Sequence, residues 1–295
     1  MSSLDDGMSE PIQAGAWGSP AIAGRAFLIG LARAFGGAIL FALPLFMTME
    51  MWSLGSTMDE LRLALFLPLV FPMLVGLAYY AGFEESSDAL DFVLNALVAY
   101  AVAFAASAAM LLLLAVLGPG MSVDEVVGKT ALQAIPGSIG AMLARSQLGG
   151  QAEDKDENEN EERRRDTYGG ELFLAMVGAL FMAFNVAPTE EIMLIAQMMT
   201  GWHAVALVAV SLLIMHAFVY AVEFRGQTAL PPGISPWSEF LRLTVVAYAL
   251  ALLVCLYVLW TFGRADGLAF PELLIETVVL GFPAALGAAA ARLIL

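Results

Sequence analysis

Residues 91–117 read DFVLNALVAYAVAFAASAAMLLLLAVL, and this run decides the fold class. It carries no charged residue after Asp91 and is longer than the roughly 20 residues that a helix needs to cross about 30 Å of hydrocarbon. A helix is the expected form, because it satisfies its backbone donors internally where water is absent. The run therefore predicts a transmembrane helix.

The composition of the whole chain has the same character. Of its 295 residues, 60% are hydrophobic and 14% are charged, and the mean hydropathy is +0.80. Soluble domains carry roughly 25% charged residues. The 13 Lys and Arg residues are too few and too scattered for a nucleic-acid-binding face. The composition predicts a polytopic membrane protein with no nucleic-acid partner.

Apolar runs long enough to span a bilayer occur eight times along the chain. These runs predict an all-α membrane protein whose spans are residues 30–52, 62–82, 91–117, 125–146, 172–199, 203–223, 237–262 and 270–294.

A charged segment separates the first four spans from the last four. It reads QAEDKDENENEERRRD at residues 151–166 and holds 8 of the 28 acidic residues, which accounts for much of the net charge of −15. Such a composition favours a solvated linker. We predict a cytoplasmic N-terminal tail (1–24), a four-helix unit (25–150), a cytoplasmic linker (151–168) and a second four-helix unit (169–295). A cytosolic partner of the linker is the alternative to a plain connector.

The two units repeat each other at nearly constant offsets. The matched pairs are Gly37/Gly178, Thr48/Thr189, Glu50/Glu191 and Tyr79/Tyr220 at 141 residues, Tyr100/Tyr248 at 148, and Thr130/Thr277, Pro136/Pro283, Gly140/Gly287 and Arg145/Arg292 at 147. Rare residue types in an ordered series indicate a duplicated unit. Because each unit has an even number of helices, we expect parallel repeats about a pseudo-two-fold axis along the membrane normal.

Small residues mark the fourth helix of each unit. Gly137 and Gly140 in one, and Ala284 and Gly287 in the other, allow close helix approach. We expect these two helices near the axis; the alternative is a packing face elsewhere in the bundle.

The basic residues beside the spans predict an orientation. With a cytoplasmic N-terminus, ten of the 13 Lys and Arg residues lie on the cytoplasmic side and three, Arg62, Lys129 and Arg264, lie outside. The positive-inside rule then predicts that both termini are cytoplasmic.

Carboxylates near the outer ends of two spans form the main candidate site. Glu50 lies in PLFMTMEMW (44–52), and Glu190 and Glu191 lie in NVAPTEE (185–191), each beside a proline break. A charge inside a bilayer is costly and marks function by default. We predict an ion or proton site between the halves, and its members are Glu50, Glu191, Glu190, Thr48, Thr189 and Asn185. The alternative is that the acids lie at the water boundary and stabilise helix ends.

Three further polar residues are secondary candidates. Lys129 and Glu276 occupy equivalent positions near the outer ends of their helices and could form an ion pair across the axis or a gate. His216, in the middle of its span, is a candidate proton relay, although a lone His is often only hydrogen-bonded.

Enzymatic chemistry is not expected. The chain has no GxSxG, no HExxH and no phosphate-binding loop, and a cofactor is not predicted. The identity of any metal ion is left open by the sequence.

PLFMTMEMW and NVAPTEE resemble a family of strongly hydrophobic, uncharacterised bacterial integral membrane proteins of about this length. The resemblance covers nearly the whole chain from Arg25 onward. It implies a multi-pass protein of the bacterial inner membrane and supplies no catalytic residue.

Two functions remain open from the sequence. The first is a cation- or proton-handling transporter or channel that uses the paired acidic site, with the lipid bilayer and a cation or proton as its partners. The second is a non-transporting membrane scaffold or assembly factor, in which the acidic pair holds helices together.

Overall fold

A computed structural model describes residues 20–81, 89–148, 167–221, 237 and 240–294. All regular structure in these ranges is helical. Of the predicted tail (1–24), residues 20–24 are described, and of the predicted linker (151–168), residues 167 and 168 are described. One helix begins at Pro20, and another begins at Tyr168. The Thr167 hydroxyl accepts a hydrogen bond from the Gly170 amide at 3.1 Å. The rest of both segments lies outside the described residues.

Ten α-helices are described, and each is rich in aliphatic and aromatic residues. They are α1 Pro20–Phe46, α2 Met49–Thr57, α3 Glu60–Ala81, α4 Ala89–Leu113, α5 Val123–Leu148, α6 Tyr168–Val186, α7 Glu191–Met198, α8 Gly201–Ala221, α9 Val246–Thr261 and α10 Phe270–Ile294. A π-helical turn, Phe240–Val245, leads into α9.

Six stretches are long and apolar enough to cross a membrane: Phe27–Phe46, Glu60–Tyr80, Ala89–Leu113, Tyr168–Val186, Phe240–Thr261 and Phe270–Ala291. A seventh is added if α7 and α8, which are bent by 120° at their junction, count as one span. The described part of the chain thus has the helices of a multi-pass integral membrane protein. It contains six or seven candidate spans, where the sequence predicted eight.

When this bent pair counts as a span, the predicted span that is missing is residues 125–146. They form α5, a full-length helix whose side chains are almost all buried from Gly128 to Ala144, against α1, α2, α3 and α4. Because neighbouring helices cover it, α5 does not need a lipid-soluble surface and carries Lys129, Gln133 and Ser138 in buried positions. Its composition therefore falls short of that of a lipid-facing span.

Two predicted spans run across a helix break. The span 30–52 ends at Phe46, two residues after Pro44, and the short helix α2 follows a break at residues 47–48. The span 172–199 ends at Val186, and a turn containing Pro188 leads to α7. Proline cannot donate the next helical hydrogen bond, and it restricts the residue before it. Glu50 and Glu191 consequently lie in short helices beyond the spanning ones.

The same close contacts occur in each half. In the first half, a Cβ atom on Gly37 would collide with the Gly140 carbonyl oxygen and the Ala144 side chain, so α1 and α5 touch through their backbones. In the second half, Gly178 stands in the same relation to Gly287 and Ala291, which joins α6 to α10. Glycine at these points permits an approach that no other residue would allow.

The boundary between the halves is built mainly from α3, α6 and α9. The Phe66 ring lies between Phe184 and Tyr257, at centroid distances of 5.6 and 5.7 Å. At one end of this boundary, Arg62 donates to Asp266 at 2.8 Å and to the Trp260 carbonyl at 2.8 Å. The small residues of α5 and α10 pack instead on α1 and α6 of their own halves, where a glycine faces them. These small faces are thus packing faces within each half, and a position of α5 and α10 near the pseudo-two-fold axis stays a prediction.

Candidate functional site at the helix breaks

Both helix breaks are closed by a threonine at the matched position. The Thr48 amide donates to the Leu45 carbonyl at 3.1 Å, and the Thr189 amide donates to the Val186 carbonyl at 3.1 Å. The Thr48 hydroxyl donates to Pro44 at 2.6 Å, and the Thr189 hydroxyl donates to Val186 at 2.9 Å. The two hydroxyl hydrogens are thus used on the protein's own turns, which leaves their lone pairs as the groups that could meet a cation.

The predicted acids lie at the starts of the short helices. Glu50 is in the first turn of α2 and is half-buried, whereas Glu191 is in the first turn of α7 and is exposed, as is Glu190 before it. None of the three has an ion-pair partner within the described residues. The free amides of a helix N-terminus favour negative charge nearby. The position therefore suits a carboxylate whether or not it binds an ion.

The six predicted residues are divided between two places. Thr48 lies in the break before α2, and Glu50 lies in the first turn of α2, which packs on α5. Asn185, Thr189, Glu190 and Glu191 belong to the break before α7, which packs on α10. Asn185 donates to the Phe181 carbonyl at 2.7 Å, while its own Oδ1 is buried without a partner in the described structure.

Each break is held by a side chain that sequence reasoning did not select. Gln133 of α5 donates to the Leu45 carbonyl at 3.1 Å. In the second half, Arg264 donates to the Pro188 carbonyl and lies 3.7 Å from the Met193 sulfur. A broken helix leaves carbonyls without partners, and buried carbonyls must find donors. The available signal was a long polar side chain in an otherwise apolar run, as at Gln133.

Lys129 does not pair with Glu276. Its ammonium lies 2.7 Å from the Glu125 carboxylate, one turn earlier on the same face of α5. This i,i+4 partner is available without any contact between the halves, which explains why the predicted pair across the axis does not form. The Lys129 residue is only 8% exposed.

Glu276 is the most enclosed carboxylate of this region. The residue is 3% exposed, and its Oε2 atom has no hydrogen-bond partner in the described structure. The charges that act on it are the guanidinium of Arg264 and the carboxylate of Glu272. Glu272 is held elsewhere, because its Oε2 accepts from the Ala269 amide at 3.2 Å, as in a capping box.

The histidines are engaged in local contacts. His216 Nδ1 lies 3.2 Å from the Thr244 hydroxyl, and its ring meets Phe240 edge-on at 5.1 Å. His203 Nδ1 lies 2.8 Å from the Thr200 hydroxyl at the start of α8. Neither contact tests a proton relay, which stays a prediction for His216. Within the described ranges, no three His, Cys, Asp or Glu residues form a group that could hold a metal ion.

Comparison with known proteins gives the class of the chain. A family model described as "Putative integral membrane protein (DUF2391)" matches residues 30–295, which include both helix breaks and all ten helices in whole or in part. No curated protein and no solved structure matches the chain. The family carries no assigned function, as the resemblance in PLFMTMEMW and NVAPTEE implied. The chain therefore belongs to the DUF2391 family of integral membrane proteins.

Proposed function

We propose that this protein is a cation- or proton-handling transporter or channel of the bacterial inner membrane, built from two copies of one four-helix unit. The single observation that carries the proposal is the repeated helix break with an acid behind it. In both halves a threonine closes the turn, and a carboxylate, Glu50 or Glu191, stands in the first turn of the following short helix.

The duplication is supported by contacts that recur at the sequence offset. Thr130 donates to the Val126 carbonyl at 2.7 Å, and Thr277 donates to the Leu273 carbonyl at 2.7 Å, an offset of 147 for donor and acceptor alike. With the glycine contacts and the threonine turns, these bonds make a parallel pair of units the simplest account. If α5 and the bent α7–α8 pair also cross the bilayer, the chain crosses eight times and both termini lie on the same side, which the positive-inside rule predicts to be the cytoplasm.

Broken helices suit ion handling for a physical reason. Unpaired carbonyls are tolerated at membrane depth where they line a cavity or pack on protein, and discontinuous helices in transporters present backbone groups and helix ends to ions. The acids at these breaks would concentrate cations at the outer ends of the two units. The proposal assigns no enzymatic reaction and no cofactor to the chain.

Reconstitution in liposomes tests the proposal. Dyes for pH and for cations should report flux with the wild-type protein, and the double variant Glu50→Gln, Glu191→Gln should reduce it strongly. Glu60→Gln is the matched control, because Glu60 is an exposed acid in the first turn of a helix, α3, that does not follow either break directly. Equal flux from wild type and the double variant would remove the acidic pair from the mechanism.

The scaffold function is distinguished in the same material. Carboxylates in the first turn stabilise a helix start. If the acidic pair is purely structural, the double variant should have a lower thermal stability than wild type, and no cation should produce flux with either protein. Deleting residues 151–166 should then also release a cytosolic partner, whereas a transporter without the linker should still conduct.

A further inference from the structure

The two halves differ in charge at one buried position. In α5, Lys129 follows Glu125 by four residues; in α10, Glu276 follows Glu272 by four residues. Both pairs obey the offset of 147, and both earlier glutamates lie in the first turn of their helix. One half therefore holds a cation and a carboxylate, where the other half holds two carboxylates.

The first-half pair is complete and covered. The Lys129 ammonium meets Glu125 at 2.7 Å, and the pair has the favourable order of acid before base. Gly55 of the short helix α2 lies directly on the Lys129 backbone, so close that a Cβ there would overlap it. The cation in this half is covalently attached and cannot leave.

Neither member of the second-half pair is a cation. Like charges four residues apart on a helix repel, and a buried carboxylate without a donor is costly in its ionised form. Glu272 is held by the Ala269 amide, and Arg264 donates to the Pro188 carbonyl. The Glu276 Oε2 atom is left with no donor from the described residues, and the residue is 3% exposed.

We propose that Glu276 is an exchangeable site for a proton or a monovalent cation, and that Lys129 is its permanently occupied counterpart in the first half. At this buried pair of matched positions, only the second half then takes up and releases positive charge. The groups whose charge governs the site are Arg264 from the loop after α9 and Glu272 from α10 itself. The helix α7 packs on α10 and starts with the exposed Glu191.

Infrared difference spectroscopy on the full-length protein in lipid nanodiscs tests the site itself. Titration with pH should reveal the carbonyl band of a protonated carboxylic acid that is present in wild type and absent in Glu276→Gln. Repeating the titration in sodium, potassium and choline separates the two ligands. A titration midpoint of the band that shifts in sodium or potassium relative to choline indicates cation binding. A midpoint that is the same in all three salts indicates a proton site. Identical titrations of wild type and Glu276→Gln would overturn the proposal.

Glu276→Lys is the sharper variant, because it restores the charge pattern of the first half. With Glu272 one turn earlier, the new ammonium has the same partner that Lys129 has in Glu125. The variant should fold, and its thermal stability should no longer respond to pH or cations at this site, whereas Glu60→Gln should keep the wild-type response. A Glu276→Lys protein that retains the wild-type response would contradict the assignment. If this variant does not fold, the neutral Glu276→Gln variant decides.

The transport consequence rests on the proposed function, and the two can fail separately. Flux in liposomes should fall to that of protein-free vesicles in both position-276 variants. No flux from wild type, together with a carboxyl band that depends on Glu276, would defeat the transporter and leave the site. Wild-type flux that persists in both variants, with an unchanged infrared titration, would defeat the site and leave the transporter.

Discussion

Gly37 is a residue at which side-chain volume decides whether two helices can meet. A Cβ atom there would overlap the backbone of α5 at Gly140, while the neighbouring Gly36 has open space around the same position. Overpacking of a tight contact costs about 1–3 kcal/mol. The two adjacent glycines thus separate the effect of volume from that of helix propensity.

We expect Gly37→Ala to lower the free energy of unfolding by about 1–3 kcal/mol through this overlap. Gly36→Ala should leave stability unchanged or slightly higher, because alanine is the better helix former. Chemical unfolding in detergent, followed by circular dichroism, measures both variants. Gly178→Ala should repeat the loss in the second half. Equal stability of the Gly36→Ala and Gly37→Ala variants would show that the α1–α5 contact is looser than described.

Asp266 gives a residue-scale prediction about pH. It lies in the loop between α9 and α10, and the hydrogen bond from Arg62 holds the pKa of its carboxyl below the usual range. The pKa of Asp266 is lower in the folded protein than in the unfolded chain, where it is about 3.9, so the ionised carboxylate stabilises the fold. This stabilisation is complete above the unfolded pKa and is lost as pH falls through the folded pKa.

Asp266→Asn should therefore weaken the protein at neutral pH and flatten the acid end of its stability profile. The effect should be small and should shrink in high salt, because the pair is solvent-exposed. Thermal unfolding across pH measures it, with Asp124→Asn as the control at an exposed acid on α5. A profile unchanged by Asp266→Asn would mean that the ion pair contributes nothing to stability.

At the scale of elements, apolar length predicted most helices well and helix breaks poorly. The spans 62–82 and 270–294 nearly coincide with α3 and α10. The ends of α1 and α6 could not be located by hydropathy, since Met47 and Ile192 continue the apolar character beyond each break. Pro44 and Pro188 marked the neighbourhood of each break but not its residue. Lys129 pairs with Glu125, one turn earlier on α5, a partner that was not predicted.

The short helix α2 gives an element-scale prediction. Gly55 of α2 and Gly128 of α5 meet backbone to backbone, which places α2 over Lys129. Gly55→Ala should push α2 away, and amide hydrogen exchange in residues 49–57 should speed up while exchange in α4 stays the same. Gly118→Ala, in a loop position with open space, is the control. Unaltered exchange in α2 would show that this helix is not held by the contact.

At the scale of the whole molecule, the aromatic cluster around Phe66 helps to join the halves. The Phe66 ring of α3 is fully buried, stacked on Phe184 of α6 and tilted against Tyr257 of α9. Its neighbour Leu65 is 51% exposed and faces outward. Removal of a buried phenylalanine side chain costs about 3–5 kcal/mol. Because this cost falls at the boundary, it should weaken the association of the halves and not the fold of either alone.

A protease site inserted in residues 151–166 allows this association to be measured after folding. Cleaved wild-type protein in mild detergent should elute from gel filtration as one species that contains both fragments. Phe66→Ala should release the fragments at lower detergent concentration or temperature, whereas Leu65→Ala should behave as wild type, since its side chain is exposed. If the cleaved wild type separates at once, the covalent linker and not the aromatic cluster holds the halves together. If both variants remain intact as wild type does, contacts other than that of Phe66 dominate the boundary.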